Sequence, residues 1–276
     1  MKNESKLQKN NRGPRPVSYG MGPKKQFGQN FLTQPKIAQD IVDAGRLSKK
    51  DSVLEIGPGK GMLTEKILAT GAKVVAVEKD RDLIGFLENK FEKEIKKSQL
   101  KIINEDILSF DVLKNFNGNY KLIANIPYYI TGIILRKFLE LKNQPKMMVL
   151  MIQYEVAKRI VSKDMKESIL SISIKAYGTP KIIRRVSAGS FFPKPNVDSA
   201  ILSIENISKD LFIKNKISEK KFFEIIKKGF SSKRKKLSSN LGFKKELWEK
   251  SGLPENIRAE ELSLEGWVEL TKILLK

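Results

Sequence analysis

The 276-residue chain predicts an α/β fold: a doubly wound parallel sheet with a small all-α C-terminal domain. Three observations carry this. Short β-rich apolar runs recur with helical stretches between them, strand character disappears after about residue 206, and apolar residues make up 40% of the chain, enough for a sizeable core. Apolar strands separated by helices imply right-handed crossovers, which lay successive strands parallel in one sheet.

Taken in order, "SVLEIG" (52–57) reads as a strand and "GMLTEKILATG" (61–71) as a helix closed by Gly71. "KVVAVEKD" (73–80) is a second strand, followed by one long charged helix over 81–97. "LKIINED" (100–106) and "YKLIANI" (120–126) are the third and fourth strands, "GIILRKFLELK" (132–142) is helical, and "KMMVLMIQ" (146–153) is a fifth, fully buried strand. "YEVAKRIVS" (154–162) is helical. "ESILSISIKAYG" (167–178) is ambiguous, because Ile, Leu and Ser alternate as in a strand while Ile169, Ile172 and Ala176 also fit a helix. "KIIRRVS" (181–187) and "VDSAILSIE" (197–205) close the sheet around "AGSFFPKPN". The expected division is a basic, flexible arm over 1–23, a sheet domain over 24–206 and a helical domain over 207–276.

Composition excludes several classes of chemistry. There are no cysteines and no histidines, so thiolate nucleophiles, disulfides, zinc–sulfur sites and the usual neutral-pH general base are missing. No metal is expected. No run approaches the roughly 18 apolar residues needed to cross a bilayer, and the polar, basic start lacks the apolar centre of a secretory leader. The formal net charge is +22, which attracts polyanions and supplies phosphate contacts. A lysine-rich proteome explains the preference for Lys over Arg but not the shortage of acids. A membrane surface is the lesser alternative, since no basic helix shows a broad apolar face.

"EIGPGKG" places Gly57, Gly59 and Gly61 between the first strand and the first helix, where backbone can turn sharply and approach a ligand. The spacing is G-x-G-x-G, not the G-x-G-x-x-G of dinucleotide sites. Glu55 just upstream would repel a diphosphate and suits a cationic sulfonium and ammonium, which points to S-adenosylmethionine. Glu78 ends the second strand and is expected to accept the ribose hydroxyls; Asp106 ends the third, placed for an adenine amine.

"LIANIPYYIT" (122–131) ends a strand with an amide, a proline and two aromatic rings. An adenine amine is a poor nucleophile because its lone pair is delocalised into the ring. The side-chain oxygen of Asn125 and the backbone carbonyl of Ile126 could each accept one of its N–H groups, favouring the pyramidal, cationic transition state. Pro127 would stiffen the turn and Tyr128 would stack on an unstacked base. In "SFFPKPNVDS" (190–199), Phe191 or Phe192 could form the opposite wall; alternatively this is a proline-stiffened hairpin whose rings are core. In the C-terminal part, Lys220, Lys221, Lys227 and Lys228 flank a core face of Phe222, Phe223, Ile226 and Phe230, and "SSKRKKLSS" concentrates Lys233, Arg234, Lys235 and Lys236. These basic residues are either a solvated face or a phosphate-tracking surface for structured RNA.

With these motifs in order along the chain, the sequence resembles the ribosomal RNA small-subunit adenine dimethyltransferases, the family of the kasugamycin-resistance methyltransferase. The likeness rests on "KKQFGQNFL", "EIGPGKGMLT", "VEKD", "EDIL", "ANIPYYI", "MIQYEVAKRI", "FFPKPNVDSAIL", "GFSSKRKKLSSNL" and "RAEELSLEGWVEL". The resemblance implies a Rossmann-like S-adenosylmethionine-dependent methyltransferase sheet with a small all-α C-terminal domain. It also implies N6,N6-dimethylation of two adjacent adenosines near the 3′ end of small-subunit rRNA, on an immature small ribosomal subunit. A cytoplasmic monomer is expected. By motif match, Asn30, Leu32, Gly57, Gly59, Glu78, Asp106 and Asn125 would line the cofactor site, while Asn125, Tyr128 and Phe191 would handle the base. Erythromycin-resistance methylases of large-subunit rRNA share the glycine turn and Asn-Ile-Pro-Tyr, but the C-terminal motifs favour the small-subunit enzymes. A non-catalytic RNA-binding assembly factor on the same fold is the alternative from another class.

Overall fold

The computed structural model describes residues 22–162, 166–243 and 245–274. The arm expected over 1–23 therefore lies, up to residue 21, outside the described residues. The strands are β1 (Phe31–Leu32), β2 (Ser52–Ile56), β3 (Lys73–Glu78), β4 (Leu100–Asn104), β5 (Lys121–Asn125), β6 (Met147–Gln153), β7 (Thr179–Val186), β8 (Phe191–Phe192) and β9 (Ser199–Glu205). Helices α1 (Pro35–Gly45), α2 (Met62–Ala69), α3 (Arg81–Lys90), α4 (Glu92–Lys96), α5 (Thr131–Glu140), α6 (Tyr154–Val161) and α7 (Ile169–Lys175) lie among them. Beyond β9 come α8 (Asp210–Asn215), α9 (Glu219–Gly229), α10 (Leu237–Leu241), α11 (Lys245–Glu249) and α12 (Leu264–Leu274).

Seven strands form one sheet in the order β4-β3-β2-β5-β6-β9-β7. β2 to β6 pair in parallel, while β9 inserts antiparallel between β6 and β7. The inner parallel strands β2, β5 and β6 are buried on both faces, which explains why they read as apolar runs, while β4 at the sheet's edge is only partly covered. In β6, Met147, Val149 and Met151 join one core cluster with Ile37 and Ile41 of α1, and Met148, Leu150 and Ile152 join another with Ile134 and Phe138 of α5. The second cluster continues into Phe222, Ile226 and Trp267 of the C-terminal helices. Strand order runs outward from β2 through β3 to β4, and the opposite way from β5 to β6. A crevice therefore opens between the carboxyl ends of β2 and β5, where sheets of this class receive ligands.

The long helix expected over 81–97 is two, α3 and α4, broken at Phe91. Phe91 is buried, and its ring occupies the space where a Cβ on Gly61 would sit, within 2.5 Å. The ambiguous stretch after residue 167 is helical: the Ser168 hydroxyl accepts the Ser171 N–H, and the Ser171 hydroxyl accepts the Ser168 N–H. Helix α1 is not among the elements expected from sequence, although Pro35 stands at its first turn and Ile37, Ala38, Ile41 and Val42 carry its buried stripe. The two-stranded ribbon β1–β8 is likewise unforeseen; it pairs Phe31 with Phe192 and Leu32 with Phe191.

Candidate active site

The crevice is a cleft lined by residues from five segments. The glycine turn after β2 forms its floor. Gly57 has φ 65° and nothing within 4 Å of where a Cβ would lie, so backbone can meet a ligand there; Gly59, at φ 58°, has the Phe31 ring 3.1 Å from that position. Glu78, at the end of β3, is nearly buried and lines the cleft. Its Oε2 accepts the Gly59 N–H (3.1 Å) and its Oε1 the Asp80 N–H (2.8 Å), which ties the glycine turn to the neighbouring strand. Burial pushes this carboxyl above its ordinary value against the pull of those two N–H groups. Each oxygen keeps a lone pair for a ligand hydroxyl.

Asp106 lies two residues past β4 on the same rim. Lys79 Nζ approaches its Oδ2 at 2.8 Å and the Leu108 N–H donates to its Oδ1 at 2.9 Å. The Lys79 ammonium first, then the Leu108 N–H, hold its carboxyl below the usual range. It is an ionised acceptor facing a wall of Ile107 and Leu108.

Asn125 closes β5, and Ile126, Pro127 and Tyr128 carry the lining onward. The Ile126 side chain is buried in the core, which anchors the turn and leaves its backbone to the cleft. The Asn125 Nδ2 donates to the Asn30 carbonyl at 3.1 Å. The Tyr128 hydroxyl shares a hydrogen bond of 2.7 Å with the buried Ser199, fixing the ring from the side of β9. Burial, chiefly, raises the Tyr128 phenol above its ordinary value.

A strap over residues 24–31 crosses the cleft, and sequence reasoning reaches only its end. Lys24 pairs with Asp80 (2.5 Å) and Asp82 (2.6 Å), and Gln29 Nε2 donates to Asp80 (2.9 Å). Phe27, Gly28, Gln29, Asn30 and Phe31 line the pocket from this side, and the Tyr129 ring packs against Gly28. The sequence signal for it is the motif "KKQFGQNFL" (24–32), from which only Asn30 and Leu32 are carried to the site; Asp80 and Asp82 in "EKDRD" receive the strap.

Three expectations need correction. Leu32 does not line the cleft: its side chain is 9% exposed and packs in the core cluster beneath α1, while its neighbours Asn30 and Phe31 form the wall. Phe191, paired with Leu32, shares that inward face and is 4% exposed, so it offers no free ring to a base. Phe192, opposite Phe31 on the outer face, is 60% exposed. Glu55 does not face a cationic ligand either. It is fully buried, outside the cleft lining, and burial first, then the Glu78 charge, push its carboxyl up to about 8, leaving it neutral at pH 7.

Lys233, Arg234, Lys235 and Lys236 are exposed on the turn between α9 and α10, apart from the cleft lining. The buried Asn240 Nδ2 donates to the carbonyls of Gly229 (2.6 Å) and Ser232 (2.9 Å), holding that turn, and Lys236 pairs with Glu255 at 3.0 Å. Among the described residues no group of His, Cys, Asp or Glu could hold a metal ion, and no helix is long and apolar enough to cross a membrane.

Residues 21–276 match the family model for ribosomal RNA adenine dimethylase. A ribosomal RNA small subunit methyltransferase A of Dehalococcoides mccartyi is 40% identical, over 91% of this chain and 88% of that protein. The protein of the same name from Fusobacterium nucleatum is 39% identical, over 91% of this chain and 97% of its own length. Among solved structures, a dimethyladenosine transferase of Plasmodium falciparum superposes with TM-score 0.74 at 24% identity, covering 87% of this chain and 95% of its own. The 23S rRNA methyltransferase ErmE gives 0.73 at 21%, covering 90% of this chain and all of its own. These two likenesses bear on the fold, which is the Rossmann-like methyltransferase fold. Matched by the family model over all but its first twenty residues, and by relatives near 40% identity over most of its length, this chain belongs to the ribosomal RNA adenine dimethylase family.

Proposed function

We propose that this protein dimethylates N6 of two adjacent adenosines near the 3′ end of small-subunit rRNA, using S-adenosylmethionine, on immature small ribosomal subunits in the cytoplasm. The observation that carries the reading is the orientation of the Asn125 amide. With Nδ2 committed to the Asn30 carbonyl, Oδ1 is the end left to accept from an amine in the cleft.

The residues present fit an adenosyl ligand. Asp106 would accept from the adenine amine, Glu78 from the ribose hydroxyls, and the Gly57 and Gly59 backbone would face the amino-acid end, with Asn30 and Phe31 covering it. When bound, the sulfonium supplies an electrophilic methyl group. The target adenine amine, held by Asn125 Oδ1 and the Ile126 carbonyl, turns its lone pair toward that carbon as its N–H bonds point at the acceptors. Methyl transfer would form the N–C bond as the S–C bond breaks, with S-adenosylhomocysteine as the leaving group, and the surplus N6 proton would pass to water, since the alkylated nitrogen is acidic enough to need no histidine. Pro127 restrains the turn, and Tyr128, fixed through Ser199, stacks on the base. Phe192 is the ring free to meet the base from the ribbon. Lys233, Arg234, Lys235 and Lys236 track phosphates, and the protein acts as a monomer.

The test is incubation of the purified protein with labelled S-adenosylmethionine and unmethylated small subunits, followed by mass spectrometry of the rRNA. Two neighbouring dimethyladenosines near the 3′ end are expected. Methyl groups on large-subunit RNA instead, or none, would overturn the assignment.

A further inference from the structure

Lys137 stands on α5, in the second turn after the Asn125–Tyr128 segment, and does not line the cleft. Its ammonium donates to three backbone carbonyls at once: Ile107 at 2.8 Å, Leu108 at 2.7 Å and Phe110 at 3.0 Å. An ammonium has three N–H donors, so all of them are spent on one short loop. That loop is the wall of the cleft beside Asp106. Its own N–H groups fold back on Asp106: Leu108 donates to the carboxylate, and Ser109 and Phe110 to the carbonyl. Ile107 and Phe110 are buried and pin the loop from beneath, while Leu108 remains partly exposed at the cleft. Without the cation, three carbonyl dipoles that converge on one point would be left to water, which cannot hold them in one fixed arrangement. Glu105, Asp106 and Asp111 supply the negative field around it.

We propose that Lys137 is a positioning residue for the adenosyl ligand: by clamping the carbonyls of Ile107, Leu108 and Phe110 it sets the wall against which the adenine lies and the aim of Asp106. The proposal rests on the reading of the cleft given above. It also makes α5 the link between the two halves of the site, since its first turn continues from Tyr128 and its second holds the adenine wall.

Titration calorimetry with S-adenosylmethionine and S-adenosylhomocysteine tests this on the full chain. Lys137→Met is expected to bind both about tenfold more weakly, the loss of charge-assisted bonds appearing as a disordered wall. KM for the cofactor should rise in step, with kcat at saturating cofactor and KM for rRNA within about twofold of the unaltered enzyme. Lys137→Arg, which keeps charge and N–H donors, should regain most of the affinity. Amide exchange of Leu108, Ser109 and Phe110 in the free protein should speed up in Lys137→Met and not elsewhere in the sheet. Should Lys137→Met fail to fold, Lys137→Gln, with two N–H donors, is read the same way at smaller amplitude. Unchanged cofactor affinity with unchanged exchange would overturn the proposal, as would an equal loss in both KM values and kcat. Failure of the underlying reading shows differently, as an unaltered chain that binds neither ligand.

Discussion

The Asn125 side chain donates its Nδ2 to the backbone carbonyl of Asn30, 3.1 Å away, so a residue of the strap decides which end of the amide faces the cleft. An amide free to flip would present donor and acceptor alike to the target amine, and only the acceptor helps. Asn125→Ala is therefore expected to lower single-turnover methyl transfer about a hundred- to a thousandfold, the cost of one electrostatic partner made in the transition state. Asn125→Asp should fare little better, because a carboxylate repels the Asn30 carbonyl. Cofactor binding, measured separately, should change by far less than turnover. Full activity in Asn125→Ala would remove the proposed role.

The ribbon assigns opposite fates to two adjacent phenylalanines. Phe191→Ala empties a packed position and should cost about 3–5 kcal/mol in urea-induced unfolding. Phe192→Ala removes an exposed ring and should leave stability within about 0.5 kcal/mol. Its effect should fall on KM for rRNA. The reverse pattern, a stable Phe191→Ala that loses RNA and an inert Phe192→Ala, would return the base wall to Phe191.

That pair also shows where sequence reasoning stops. The doubly buried strand at 146–153 and the glycine turn at 57–61 announce themselves locally, through run length and residue type. The β1–β8 ribbon joins two dipeptides far apart in the chain, and nothing local distinguishes the inward ring from the outward one. The inward turn of Leu32 is hidden for the same reason. The burial of Glu55 is not legible from alternation: β2 is covered on both faces, so its place between Leu54 and Ile56 puts the side chain in a core without setting it apart from a ligand at the strand's end. The strap's residues are marked by the motif "KKQFGQNFL", but its course across the cleft is tertiary and shows only once Asp80 and Asp82 are seen to pair with Lys24.

The basic turn at 233–236 offers a salt-dependence test. Replacing Lys233, Arg234 and Lys235 by Ala should reduce the slope of log affinity for rRNA against log salt by about 0.7–0.9 for each phosphate that is no longer neutralised. Lys236→Ala should have a smaller effect, because its ammonium already pairs with Glu255. An unchanged slope in the triple variant would leave these residues as a solvated face.

Gly229 ends α9 directly against the buried Trp267, whose ring lies 2.4 Å from where a Cβ would be placed. The indole also stacks on Phe230, at 5.6 Å between ring centroids, so it cannot retreat without disturbing a second ring. Gly229→Ala should therefore destabilise by about 1–3 kcal/mol, despite Ala being the better helix former. A midpoint equal to or above that of the unaltered chain in urea would show that the helix interface has room to give.

Glu55 sets a pH signature on stability. In the unfolded chain its carboxyl titrates near the ordinary 4.5, and in the fold burial, aided by the Glu78 charge, holds the proton until about pH 8. Below the lower value both states are protonated and the residue contributes no pH dependence. Between the two, the unfolded chain has released a proton that the native state keeps, so stability falls as pH rises, at up to about 1.4 kcal/mol per unit. Above the upper value the dependence levels off. Glu55→Gln has no proton to hold, so the stability difference between it and the unaltered chain should move in favour of Gln from about pH 5 to about pH 8 and then flatten. Taking that difference cancels the titration of the carboxylates the two proteins share, apart from Glu78, whose charge is coupled to that of Glu55. A difference that stays constant across the range would mean a carboxylate already ionised in the fold. It would then sit under the glycine turn as a charge, and the cationic-ligand role denied to Glu55 by its burial would be open again.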